Sequence, residues 1–215
     1  MSDEARRFFD SVAGRYERAY GLTSDESRSR MARVLAELPP APSAVLDLGV
    51  GTGRELTALL DSGREVTGID VSPAMLERCA RRARPVPLVE ADFWAPLPLA
   101  DRSFDAAIAL HGTLAHPPDD DAIPRLAREL ERVLRPGSPW VVEVPAPAWL
   151  ETAADEHVTR TGPATAVYED AVTGARIATR LLSAAEWTAA LGRGWSTRVE
   201  AAGAAEWLVV ARLAR

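Results

Sequence analysis

Residues 45–56, VLDLGVGTGREL, hold the pattern with the most chemistry in it: a carboxylate at Asp47, then glycines at Gly49, Gly51 and Gly53, directly after a short apolar run. Glycines in that place allow a tight turn and let a ligand lie against bare backbone. Amide groups opening a following helix favour polar or anionic ligand atoms, so a nucleotide-like ligand is expected at this end of a sheet. Asp70 lies about 20 residues further on, ending a second apolar run (EVTGID). From there it can accept hydrogen bonds from both hydroxyls of a ribose. The dinucleotide fingerprint G-x-G-x-x-G asks for its third glycine where Arg54 stands, and it rarely carries a carboxylate in the place of Asp47. A nicotinamide cofactor is the weaker reading.

These residues need elements to hold them. Residues 4–20 set Phe8, Phe9, Val12, Tyr16 and Tyr20 at helical spacing until Gly21, and Met31, Val34, Leu35 and Leu38 repeat it before Pro39 and Pro40. From residue 44 the order is strand, glycine turn and helix, the last with Leu56, Leu59 and Leu60 on one face. Residues 65–70 read as a second strand. Ser72 and Pro73 are an N-cap and first helical residue, with Met75, Leu76, Cys79 and Ala83 inside. Residues 86–92 and 104–110 read as third and fourth strands, 119–135 as a helix stopped by Pro136 and Gly137, and 140–144 as a fifth strand. Strands alternating with helices imply right-handed crossovers and a mainly parallel sheet covered on both faces. Beyond Pro145 the sequence suggests a hairpin over 166–169 and 176–182, a helix over 183–191, and strands over 195–201 and 206–213 that must be antiparallel.

Composition limits the rest. The chain has 215 residues, 47% hydrophobic and 26% charged, enough for one sizeable domain. Lys plus Arg is 25 against 31 for Asp plus Glu, a net charge of -6, which is the wrong sign for wrapping a phosphate backbone. No nucleic-acid partner is expected. All basic residues are Arg, and Lys, Asn and Gln are absent. Cys79 is the one cysteine, too few for a disulfide or a cysteine-cluster zinc site, and a reducing cytoplasm fits. No apolar run approaches a membrane span, so no membrane partner is expected either.

The glycine segment resembles motif I of the class I S-adenosylmethionine-dependent methyltransferases, D-x-G-x-G-x-G. The resemblance continues in order: Asp70 ends the second strand in VTGIDVSPAML, Asp92 ends the third in VEADFW, Asp105 opens the fourth in SFDAAIALHG, and LRPG precedes the fifth. It covers residues 45–144, and the helical start and antiparallel end are similar to the family as well. The resemblance implies one Rossmann-like α/β domain over 1–215, with helices on both faces of a seven-stranded, mostly parallel sheet whose last strand is antiparallel. Residues 1–40 would form a helical lid, 44–145 the cofactor-binding half, and 146–215 a substrate-side insertion and the antiparallel end.

The cofactor it implies is S-adenosylmethionine, with S-adenosylhomocysteine as product and a small-molecule acceptor methylated at oxygen or nitrogen. In such proteins the glycine turn (Gly49, Gly51, Gly53) meets the cofactor, Asp47 orients its methionine end, and Asp70 takes its ribose. Asp92 and the amide of Phe93 meet the adenine, between Val71 and Met75. Leu110 would lend its backbone carbonyl to the cofactor amino group. Tyr16, Tyr20 and Arg30 would close over it, Arg30 on the methionine carboxylate. His111, directly after the fourth strand, lies where similar enzymes put groups beside the transferring methyl, and is the candidate general base.

Each assignment has a plainer alternative: Asp47 as a pin for the turn, Met75 as core, the tyrosines as helix packing, and His111 as an orienting or structural group. His116 and His157 are weaker candidates. A metal site at HGTLAH and Asp119 to Asp121 is less expected than a helix start, and the magnesium-dependent relatives need an Asn this chain lacks. The arginines at 78, 81, 82 and 84 read as a solvated helix face. Rival functions are a cofactor-binding domain without methyl transfer, cyclase-like or acting as a partner protein, and a nicotinamide-dependent oxidoreductase.

Overall fold

The computed structural model describes residues 2–20, 24–82, 84–152, 157–203 and 205–215, and of Ser2, Tyr20, Ser24 and Asp25 the backbone alone. The amphipathic start is not one helix over 4–20. It breaks into α1 (Ser2–Val12), a 3-10 turn at Ala13–Arg15 and α2 (Tyr16–Tyr20), and the break falls at Gly14, the poorest helix former in the run. Helix α3 is Ser24–Glu37.

The short apolar runs form the strands: β1 (Ala44–Leu48), β2 (Glu65–Asp70), β3 (Leu88–Glu90), β4 (Ala106–Ala109) and β5 (Pro139–Pro145). Strand β3 is shorter than residues 86–92, because Pro85 and Pro87 bring no amide to its ladder. Between the strands lie α4 (Leu56–Asp61), α5 (Pro73–Arg82) and α6 (Ala122–Val133). Asp119 to Asp121 precede α6 as a turn, Asp119 Oδ1 taking the Asp121 amide at 2.9 Å. Beyond β5 come α7 (Trp149–Thr152), strands β6 (Val158–Arg160), β7 (Thr165–Glu169) and β8 (Arg176–Arg180), helix α8 (Ala184–Leu191), and strands β9 (Trp195–Gly203) and β10 (Glu206–Leu213). Ser183 and Glu186 cap α8 reciprocally.

Seven strands make one sheet in the order β3-β2-β1-β4-β5-β10-β9. The pairs among β1 to β5 are parallel, while β10 runs antiparallel to both β5 and β9. This is the expected α/β architecture, with the last strand the reversed one. Strand order turns back between β1 and β4, and in such sheets the crevice for a ligand opens at the carboxyl ends there. Alternate residues feed the two faces. Leu46, Leu48, Trp140 and Val142 pack with Leu126, Leu130 and Trp187 of α6 and α8, whereas Val45, Ile108 and Val141 pack with Val34, Leu56 and Leu59 of α3 and α4.

Strands β6, β7 and β8 form a second, antiparallel sheet, one strand more than the expected hairpin. Helix α1 connects it to the main domain. Phe8, Val12 and Ala13 pack between Met75 of α5 and Ile177 of β8, and Phe8 meets the Tyr168 ring edge-on at 5.9 Å. Two polar anchors fix the helix. Asp10 accepts the Ser72 hydroxyl at 2.6 Å, and Arg15 pairs with buried Asp170. Burial alone would raise the Asp170 carboxyl, but donors from Thr173, Arg15 and Val172 outweigh it and hold the group well below the usual carboxylate range. No helix among the described residues is long and apolar enough to cross a membrane.

Removing the charge at this anchor should loosen α1. Arg15→Gln takes the guanidinium away from a buried carboxylate that keeps its turn donors, and is expected to lower the unfolding free energy by about 2 kcal/mol. It should also speed limited proteolysis within the first 20 residues. Denaturant titration and digestion rates check both, and wild-type values would show that Asp170 is satisfied by its own turn.

Candidate functional site

Strand β1 ends in a turn held by its neighbour, the amides of Gly49 and Val50 both donating to the Ile69 carbonyl at 2.8 and 2.9 Å. Gly49, Gly51 and Gly53 all have left-handed backbone, with φ of 71°, 53° and 75°. Two of them also have no room for a side chain. A Cβ on Gly49 would overlap Thr113, and one on Gly53 would lie 2.7 Å from Cys79 Sγ. Burial and the carboxylates of Asp47 and Asp70 push that thiol up to about 11, so Cys79 is packing rather than nucleophile.

Asp70 ends β2 beside this turn. Its Oδ2 accepts the Gly51 amide at 2.8 Å and its Oδ1 the Ser72 amide at 2.9 Å. Burial nevertheless pushes it up to about 6, against the amides of Ser72, Gly51 and Val71. Asp47 is more extreme. It is 4% exposed, and its carboxyl takes no hydrogen bond from any described residue. Burial first, then Glu55 and Asp70, push it well above its ordinary value. A buried acceptor without a donor is a standing cost unless a ligand supplies one.

Around the turn lies a cavity of about 260 Å³. Its floor is Gly49, Gly51, Asp70, Val71, Asp92 and Phe93 at the strand ends, with Met75 beneath and Tyr16 and His111 at the sides. Helix α1 and the small sheet cover it through Phe8, Phe9, Tyr168 and Ile177. A smaller cavity of about 40 Å³ opens behind the turn between Tyr16, Asp47, Glu55, Leu110 and His111. Asp92 spends one oxygen on the Trp94 amide at 3.0 Å. Tyr16 is held beside the turn by Arg54, whose guanidinium lies 5.8 Å from its ring centre. Glu17, next to it, takes the Thr52 hydroxyl and Arg82. Burial raises the Tyr16 phenol.

Three expected residues are placed differently, and the side chain of a fourth is not described. Arg30 lines neither cavity. Its guanidinium is taken by Glu143 at 2.9 Å and Glu206 at 2.6 Å, because Glu143 points to the α3 side of the sheet and needs a counter-charge where it is buried. Gly53 also lines neither cavity, and its lack of a side chain serves the packing of Cys79. Leu110 is at the smaller cavity, but its carbonyl already accepts the amide and hydroxyl of Thr113 at 3.2 and 2.8 Å. Both lone pairs are used, which leaves the carboxylates of Asp47 and Glu55 as the acceptors there. The side chain of Tyr20 lies outside the described residues.

One residue was missed in the sequence. Glu55, two places after the last glycine and 7% exposed, pairs with His111 Nε2. Against a carboxylate, Nε2 is the donor and Nδ1 keeps the lone pair. His111 itself has φ of 54°, a left-handed conformation that is uncommon outside Gly, though Asn, Asp and His adopt it more readily than other residues. The pair sets a carboxylate directly behind the imidazole, on the side of the ring away from Nδ1.

Residues 45–137 match the family model of a methyltransferase domain. The malonyl-[acyl-carrier protein] O-methyltransferase of Halorhodospira halophila is 40% identical over 139 residues, which cover 61% of this chain and 44% of that protein. A putative 23S rRNA (guanine-N(1)-)-methyltransferase of Micromonospora griseorubida is 34% identical over 116 residues, 53% of this chain and 36% of that one. The chain thus spans less than half the length of these curated relatives. The solved structure of a DhpI–SAH complex superposes with a TM-score of 0.74 at 22% identity, covering 99% of this chain and 97% of that one.

The unpartnered carboxylate makes a stability prediction. A group whose folded pKa is raised stabilises the fold at acid pH, and loses that contribution as pH rises from the unfolded value near 4 through the folded one. Asp47→Asn removes the titration. It is expected to raise the melting temperature of the ligand-free protein at pH 8 by a few degrees, about 1–3 kcal/mol, and by less at pH 5. A lower melting temperature at pH 8 would mean that Asp47 is satisfied inside the protein.

Proposed function

We propose that this chain, which carries a class I methyltransferase domain over residues 45–137, binds S-adenosylmethionine at the carboxyl ends of β1, β2 and β3 and passes its methyl group to a small-molecule acceptor at oxygen or nitrogen. The observation that carries the reading is Asp47: a buried carboxylate beside left-handed glycines, with no donor among the described residues. A cationic amino group is the chemistry that relieves it, and a nicotinamide dinucleotide has none to offer. Gly49 and Gly51 bring bare backbone to the ligand. Asp70, braced by two amides, receives the ribose hydroxyls, while Asp92 and Phe93 meet the adenine between Val71 and Met75. Tyr16 closes the side of the cavity.

When bound, the cofactor supplies an electrophilic methyl on a sulfonium, which an acceptor lone pair takes while the carbon–sulfur electron pair stays on sulfur. The protein's own part is alignment and exclusion of water, both large effects in such a displacement. Helix α1 and the small sheet provide them. Where the acceptor must lose a proton, His111 Nδ1 receives it and Glu55 holds the imidazolium that results. The net charge of -6 and a cavity roofed by α1 favour a small acceptor over a base within a polynucleotide.

Calorimetric titration with S-adenosylhomocysteine tests the cofactor site. Asp70→Ala should weaken binding by about 2–3 kcal/mol, close to a hundredfold. Because the ligand-free carboxyl titrates at about 6 and its ionised form is the acceptor, wild-type affinity should fall as pH drops below 6, and the variant should show a shallower slope. Unchanged affinity in Asp70→Ala would remove the ribose from this strand end. For transfer itself, His111→Asn keeps a residue that tolerates left-handed backbone. It is expected to lose about a hundredfold in turnover with cofactor affinity nearly unchanged. Near-normal turnover would reduce His111 to a wall residue.

A further inference from the structure

The larger cavity has two chemically distinct halves. On the strand-end side lie the carboxylates of Asp70 and Asp92. On the other, under α1 and against the small sheet, the wall is Phe9, His116, Trp149, Tyr168, Ile177 and Thr179, with no charged side chain among them. Besides the hydroxyls of Tyr168 and Thr179, the wall offers the imidazole of His116 as an acceptor. Its Nδ1 lies 2.9 Å from the Ala178 carbonyl, with the Thr179 hydroxyl at 3.4 Å. A carbonyl can only accept, so Nδ1 carries the hydrogen and the neutral ring presents a lone pair at Nε2. No described residue takes that lone pair. Phe9 meets the ring edge-on at 6.1 Å and holds its plane. Burial pushes His116 below its usual value, against the Ala178 carbonyl and the charge of Glu4, so the imidazole stays neutral at pH 7.

Resting on the methyltransferase reading above, we infer that this half of the cavity takes a neutral aromatic acceptor, and that His116 Nε2 selects it by accepting a hydrogen bond from a hydroxyl or N–H on the ring. The charge-free wall disfavours carboxylates and phosphates, since no cation on it would balance their charge once desolvated. The rings of Phe9, Trp149 and Tyr168 offer faces and edges to a planar partner. A site built to accept a hydrogen bond also discriminates against the analogue that lacks the donor, because the ligand then covers the lone pair without meeting it. His116 is thereby a specificity-determining residue, distinct from the His111 and Glu55 pair.

The test is calorimetric titration of the protein, first with S-adenosylhomocysteine and then, in its presence and absence, with 2-naphthol, 2-methoxynaphthalene and 2-naphthoate. The expected order is 2-naphthol at least tenfold tighter than 2-methoxynaphthalene, with 2-naphthoate weakest. His116→Phe, which keeps the volume and the ring stack, should bring the first two within about twofold of each other while binding S-adenosylhomocysteine as the wild type does. His116→Gln, which restores an acceptor, should recover part of the discrimination. Naphthoate binding as tightly as naphthol overturns the inference. So does a preference unchanged in His116→Phe, or no binding of any probe at millimolar concentration. If His116→Phe does not fold, the wild-type order and the glutamine variant decide. Failure of S-adenosylhomocysteine to bind is read separately, and counts against the cofactor assignment rather than the acceptor half.

Discussion

Burying two carboxylates at adjacent strand ends is expensive, and the structure around Asp47 and Asp70 is arranged about that expense. Asp70 is partly compensated by the Gly51 and Ser72 amides, which the left-handed turn aims at it. Asp47 has no such compensation, and the nearby charges of Glu55 and Asp70 make its position worse. A fold bears such a cost where function needs a strained or unsatisfied site. The glycines follow from the same constraint. Any Cβ at Gly49 would overlap Thr113, and without that close approach the turn could not set bare amides and two acid groups around one cavity.

The cover is a second consequence. A site that works by alignment has to exclude water, and the sheet itself offers only an open crevice. Helix α1 closes it by leaning on α5 through Met75 and on the small sheet through Ile177, with Arg15 and Asp10 as its polar fastenings. The His111 side of the cavity is fastened in a comparable way. Glu55 follows the glycine turn of β1 and His111 follows β4, so the two strands that flank the reversal in sheet order each contribute half of the pair.

Much of this was legible in the sequence, for identifiable reasons. Strands β1, β2, β4 and β5 are short apolar runs stopped by glycine, aspartate or proline, and α5 and α8 open on serine caps, so local chemistry and tertiary structure agree. Strand β6 was not legible, because Val158–Arg160 is three residues long and without an apolar alternation. The segment 4–20 reads as one helix by periodicity, yet the conformational freedom of Gly14 breaks it. At the site, Asp47, Asp70, Asp92 and His111 stood out because the ends of strands are where ligands meet such sheets. Glu55 did not, since its partner is 56 positions away and no spacing rule joins them. Its one local signal is an acid directly after a glycine turn. Arg30 was misplaced for the converse reason: a helix arginine advertises its charge, but not the buried Glu143 on a distant strand that claims it.

The central claim is that Asp47 and Asp70 are held protonation-prone until a ligand supplies donors to them. Proton exchange on binding tests this most directly, by titrating S-adenosylhomocysteine at pH 6 in buffers of different ionisation enthalpy. Net release of protons is expected at pH 6, as the ligand's ammonium and hydroxyl groups pull both carboxyls toward the charged form, and less release at pH 8, where Asp70 has already lost its proton. Tight binding at pH 6 with no proton exchanged, or with protons taken up, would contradict it.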